Sequence, residues 1–178
     1  MSNPLSVLLT EARQLSKRQF LAKYPHPWLL SELIKALQAP ASRGANISTE
    51  TMAQGSMRML PTKPSALALQ ARPQSFQLLA VVKTDRNMWD ERILIGRGDK
   101  NDLILHDASV SIEHAYFSKK GSHLQLISFP SLNPTKLNGT VLKPHGTGVV
   151  IPDGAALEFG LSGLRFVESA SLYGFLTA

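Results

Sequence analysis

The chain has 178 residues, enough for one domain with an appendage, and its 43% hydrophobic and 18% charged residues describe a folded core and not a disordered chain. It contains no cysteine, which excludes disulfides and thiolate metal sites. The net charge of +6 is uneven: residues 1–88 hold eleven Lys/Arg against four Asp/Glu, residues 89–178 eight against nine.

The first residues lack the basic lead and small-residue cleavage site of a secretory leader, and no apolar run approaches the roughly 20 residues of a membrane span. A soluble, cytoplasmic protein without a membrane span is the expectation. Asn3-Pro4 is a helix-start pair, and Leu5, Leu8, Leu9, Ala12 and Leu15 follow at helical spacing. Ser16-Lys17-Arg18-Gln19 has the form of a capping box, so a second short helix begins there and stops at Tyr24-Pro25. Leu29, Leu30, Leu33, Ile34 and Leu37 predict a third helix over Trp28–Leu37, completing a helical segment over residues 1–38.

From residue 39 to 75 the composition turns to Pro, Ser, Thr, Gly, Ala and Met without periodicity, which predicts a flexible linker. It carries Thr49 and Thr51 in Ser-Thr-Glu-Thr-Met, candidate phosphorylation sites. Residues 76–178 then read as β structure: nine short apolar or alternating runs from Phe76 to Glu168, divided by turn sequences such as Gly98-Asp99-Lys100-Asn101, Asn138-Gly139 and Pro152-Asp153-Gly154. That spacing predicts a mainly β fold, a sandwich or barrel, with a closing helical turn at Ser171–Leu176. Scattered histidines without ligand spacing, and no nucleophile, P-loop or paired-carboxylate signature, predict neither a metal, a cofactor nor an enzyme.

Four blocks stand in order over the β half: Ile95-Gly96-Arg97 with Asn101-Asp102-Leu103-Ile104-Leu105; Val110-Ser111-Ile112-Glu113-His114-Ala115; Ser131-Leu132-Asn133-Pro134-Thr135 through Asn138-Gly139; and Ile151-Pro152-Asp153-Gly154 with Leu157-Glu158-Phe159-Gly160. In order and spacing they resemble the forkhead-associated (FHA) domain over roughly residues 76–168. The resemblance implies a β-sandwich that recognises phosphothreonine, here as a non-enzymatic adaptor in Ser/Thr kinase signalling. It implies phosphopeptide contacts from Arg97, Ser111 and Asn133, with Ile112 and Leu132 beside them and Gly96, His114, Asn138 and Gly139 supporting the loops. An arginine gives a dianionic phosphate charge-assisted hydrogen bonds, a serine hydroxyl adds a donor, and an asparagine carboxamide can hold a ligand backbone. The sequence departs from the family pattern at two positions: Ile112 stands where many members have arginine, and Pro134 replaces a glycine.

Two alternative readings remain beside this one: a degenerate FHA scaffold that binds a protein without phosphate, and nucleic-acid contact through the basic N-terminal half. The partner implied by the resemblance is a threonine-phosphorylated protein, a Ser/Thr kinase or its substrate. Self-docking of the linker through Thr49 or Thr51 is a further expectation.

Overall fold

The computed structural model describes residues 4–32, 70–71 and 76–178. Two helices come first, α1 (Pro4–Gln14) and α2 (Lys17–Lys23), as the sequence spacing predicts. Leu5, Leu8, Leu9 and Ala12 are the buried face of α1. The capping box forms as read: the main-chain N–H of Ser16 donates to Gln19 Oε1 at 2.9 Å, and that of Gln19 to Ser16 Oγ at 3.4 Å.

The third helix does not form at its predicted start. Trp28–Glu32 is a strand, β1, bonded on both sides, antiparallel to β2 (Phe76–Ala80) and to β11 (Ser162–Val167). Its side chains explain the correction. Leu29 enters the core between the sheets, while Trp28 and Leu30 enter a second core on the opposite face. A central strand buried on both faces reads as a continuous apolar run, which short helix patterns share. The remainder of that predicted helix, and most of the predicted linker with Thr49 and Thr51, lies outside the described residues. Within the stretch read as linker, Gln70 donates from its carboxamide to the Ala178 carbonyl at 2.8 Å, at the end of the C-terminal helix.

The remaining strands are β3 (Ile93–Gly96), β4 (Leu103–Ile104), β5 (Ala115–Lys120), β6 (His123–Ser128), β7 (Lys136–Leu137), β8 (Thr140–Val141), β9 (Val149–Val150) and β10 (Ala156–Phe159). The closing turn is a full helix, α3 (Ser169–Thr177). One sheet runs β2-β1-β11-β10-β7-β8, the other β4-β3-β5-β6-β9. All pairings are antiparallel except β3 with β4. The predicted β-sandwich with short N-terminal helices is therefore the fold.

Phe117, Phe159, Phe166, Leu126, Leu157 and Ile95 fill the space between the sheets. The helices pack with Trp28, Leu30, Phe76, Leu78 and Val167 on the outer face of the β2-β1-β11 side. That second layer leaves the far edge of the sandwich to its loops.

Candidate functional site

The register fixes which loops share one end. β3 reaches that end at Gly96, β5 starts there at Ala115, and β6 finishes opposite Ala115 at Ser128. Lys136, at the start of β7, pairs with Glu158 of β10, beside the Gly160-Leu161 turn. The loops carrying Arg97, Ser111 and Asn133 therefore converge.

Arg97 follows the strand end directly. Its main-chain N–H donates to the Ser111 carbonyl at 2.8 Å and that of Gly98 to the Ile112 carbonyl at 3.0 Å, so the two loops are zipped together. This closeness requires glycine at Gly96, where a Cβ would stand 2.3 Å from the Ile112 carbonyl oxygen. The Arg97 side chain is exposed, and its Nε donates to the Val110 carbonyl at 3.1 Å. That bond orients the guanidinium; its terminal nitrogens take no partner among the described residues.

Ser111 is half-buried, and its main-chain N–H donates to Nδ1 of His114 at 3.0 Å. Because Nδ1 accepts, the neutral ring carries its proton on Nε2. His114 is fully buried, its ring meets Phe159 edge-on at 5.9 Å between centroids, and burial pushes its pKa below 6.5. The imidazole holds the Ser111 main chain from a fully buried position inside the domain.

Asn133 is half-buried, and its carboxamide donates to the Ser109 carbonyl at 3.1 Å, while its own carbonyl accepts from the Ser131 hydroxyl at 2.7 Å. Its side-chain oxygen Oδ1 accepts no hydrogen bond among the described residues. Leu132 beside it is 96% exposed and Ile112 62%, so the site pairs one cation and two polar groups with an apolar rim. Asn138 and Gly139, expected to support the loops, form the two-residue turn of β7 and β8 with φ of 49° and 81°. They are held by β10, through Asn138 N–H to the Ala156 carbonyl at 2.8 Å and Ala156 N–H to Asn138 Oδ1 at 2.9 Å. The Asn138 bonds tie the β7–β8 turn to β10.

Asn101, quoted in the motif but given no role there, and Asp107 and Ser109, which lie outside it, hold the loops in place. Asn101, 1% exposed, donates from its carboxamide to the Gly98 carbonyl at 2.8 Å and the Ile112 carbonyl at 2.6 Å. The Asp107 carboxylate accepts the main-chain N–H and hydroxyl of Ser109, and the hydroxyl of Ser162 at 2.6 Å. The Ser109 hydroxyl in turn accepts Leu161 N–H at 2.8 Å, tying the loop to the β10–β11 turn. The Asp-x-Ser spacing of Asp107 and Ser109 signals such a side-chain turn; its link to Ser162 is long-range and has no local signal.

The family model for the FHA domain matches residues 93–160. Among solved structures, the chain is similar to Mycobacterium tuberculosis EmbR in complex with a low affinity phosphopeptide, at 23% identity and TM-score 0.40, covering 44% of this chain and 20% of that one. It is also similar to the MEK1 FHA domain in complex with a HOP1 phosphothreonine peptide, at 25% identity and TM-score 0.41, covering 52% and 88%. An FHA domain of an Arabidopsis thaliana hypothetical protein is 23% identical, with TM-score 0.41, covering 51% and 71%. This chain thus spans about a fifth of the EmbR structure. No curated protein matches. The Gly96-Arg97, Ser111-to-His114 and Asn133 loops all lie inside the stretch matched by the family model, set on a two-sheet sandwich, and residues 93–160 match the FHA domain.

Proposed function

We propose that this domain is a non-enzymatic, phosphothreonine-dependent adaptor that recruits a protein phosphorylated by a Ser/Thr kinase. The observation that carries the reading is the held guanidinium of Arg97. Fixed at Nε by the Val110 carbonyl, it keeps its terminal N–H groups for a ligand, on a loop whose main chain is bonded to Ser111. A pre-positioned arginine gives a dianion two parallel charge-assisted bonds at a small entropic cost. Asn133 supplies an amide to the ligand backbone, and Leu132 and Ile112 its apolar surroundings.

Titration of the full chain with a degenerate phosphothreonine peptide library, wild type beside Arg97→Ala, tests this. Phosphate-dependent binding that weakens by about 1.5–3 kcal/mol in the variant is expected from loss of a charged hydrogen bond. Binding indifferent to both the phosphate and Arg97 would instead identify a phosphate-independent protein scaffold.

A second reading, self-docking through Thr49 or Thr51, is favoured by the register of β1. Glu32 pairs with Phe76, and β1 runs along β11 toward the Leu161 turn that Ser109 holds. Glu32 and Phe76, the paired ends of β1 and β2, therefore stand at the end that carries Arg97. A kinase-treated chain that binds a free phosphothreonine peptide as well as the untreated chain does would sink this reading.

A further inference from the structure

The two sheets differ in what lies on their outer faces. Helices pack on the β2-β1-β11 side, whereas the outer face of the β3-β5-β6 sheet carries a row in which Leu94 and Ile127 are buried and Tyr116 between them is half-buried. Leu94, Tyr116 and Ile127 lie side by side on it, out of phase with the core residues Ile95, Phe117 and Leu126. Over them the rings continue: Phe129 lies 5.3 Å from Tyr116, the Arg92 guanidinium carbon 4.8 Å from the Tyr116 ring, and Trp89 4.5 Å from that carbon. Trp89 is 48% exposed and Met88, next to it, 86%.

One end of this row belongs to the recognition loops. Phe129 N–H donates to the His114 carbonyl at 3.0 Å, and the Ser131-to-Asn133 turn follows it in the chain. The other end is a loop held rigid. The Asp102 side chain, fully buried, accepts from Thr84 N–H and hydroxyl, Asn87 carboxamide, Leu94 N–H and Lys83 Nζ. Asn87 also donates to the Lys100 carbonyl, and its Oδ1 accepts Trp89 N–H at 3.1 Å. A buried ionic cluster that fixes a loop tipped by Met and Trp removes in advance the ordering cost of binding there. Trp, Tyr, Met and Arg are also the side chains enriched at interface centres.

We propose that the ligand does not end at the phosphothreonine: an extended flanking segment of the same partner, carrying apolar or aromatic side chains, runs along Phe129, Tyr116, Arg92 and Trp89. This rests on the phosphothreonine reading of the site above. The steps between neighbouring groups correspond to about five residues of extended chain. A peptide cut close to its phosphothreonine reaches only the loops.

The test uses the full chain and two phosphothreonine peptide pools, with about three or about twelve randomised residues on each side. Each selected long peptide is also measured trimmed to its short core. The expected result is about tenfold tighter binding by the long form, a gain that disappears in Trp89→Ala while the core binds the variant as it binds wild type. In wild type the long form, and not its core, shields Trp89 from acrylamide quenching; the other tryptophan, Trp28, is buried and does not contribute. Long forms that bind no tighter than their cores, or a gain that survives Trp89→Ala, overturn the inference and leave the phosphothreonine site standing. Cores that fail to bind at all overturn both.

Discussion

The main-chain N–H of Ser111 donates to His114 Nδ1, so the residue whose hydroxyl we propose for the ligand is positioned by a fully buried ring. The bond requires the neutral imidazole, because a protonated ring has no lone pair at Nδ1. Burial favours that form, and the His114 pKa in the folded protein lies below 6.5. The group therefore contributes stability that is present above its unfolded pKa and is lost as pH falls below it, where the unfolded chain takes up a proton first. Unfolding midpoints in urea should fall between about pH 7 and pH 5. In His114→Phe that part of the pH slope should vanish, and phosphopeptide binding should weaken because Ser111 N–H loses its acceptor.

Asp102 has the opposite chemistry and the same sign. Burial opposes its ionisation, but the bonds from Thr84, Asn87 and the Leu94 N–H outweigh this and hold its carboxyl below 3.8. Its contribution is present above the unfolded pKa and is lost in acid, below the window of His114. Asp102→Asn keeps the shape but removes the charge opposite Lys83 and replaces an acceptor oxygen by a donor. A loss of about 3 kcal/mol is expected by chemical denaturation, at the lower end for a buried pair because Lys83 is a quarter exposed. Thr84→Val should cost less, about 1 kcal/mol for one hydroxyl bond.

Gly96→Ala separates loop geometry from stability. The added methyl would stand 2.3 Å from the Ile112 carbonyl oxygen, so the Arg97 and Ser111 loops must part. Arg97 N–H to Ser111 and Gly98 N–H to Ile112 are the bonds that would lengthen. Amide exchange at Arg97 and Gly98 should accelerate, and phosphopeptide affinity should drop by about tenfold or more, although Arg97, Ser111 and Asn133 are all still present. Unchanged affinity would show that the loops adjust freely.

Much of this was legible in the chain because it is local. Asn138-Gly139 states a two-residue turn, Ser16-x-x-Gln19 a capping box, and the short run from His114 to Ser118 a strand, which the structure forms over Ala115–Lys120. The site residues were read from a motif whose parts lie within loops. What stayed hidden depends on partners far along the chain. Asp107 meets Ser162 and Gln70 meets Ala178, and neither pair leaves a mark on nearby sequence. Trp28-Leu29-Leu30 was read with the wrong period because a run buried on both faces looks the same whether its neighbours are strands or a helix partner.

That strand makes the N-terminal residues part of the sandwich, which can be tested by the two faces of β1 separately. Leu29 is fully buried between the sheets, and Leu30, 1% exposed, lies under the helices. Leu29→Ala should cost about 2–5 kcal/mol in global stability, the range for a leucine removed from a packed core. Leu30→Ala should cost a similar amount, because the outer face of β1 joins the helices to the same sheet. Two independent units would respond differently: Leu30→Ala would loosen α1, α2 and α3 while the β3-β5-β6 sheet kept its amide protection. A single cooperative transition, with exchange in Phe117 and Leu126 accelerated as much by Leu30→Ala as by Leu29→Ala, is the expected outcome. Removal of residues 1–32 should then abolish folding of the sandwich, since it would take from β2 and β11 the strand that each pairs with.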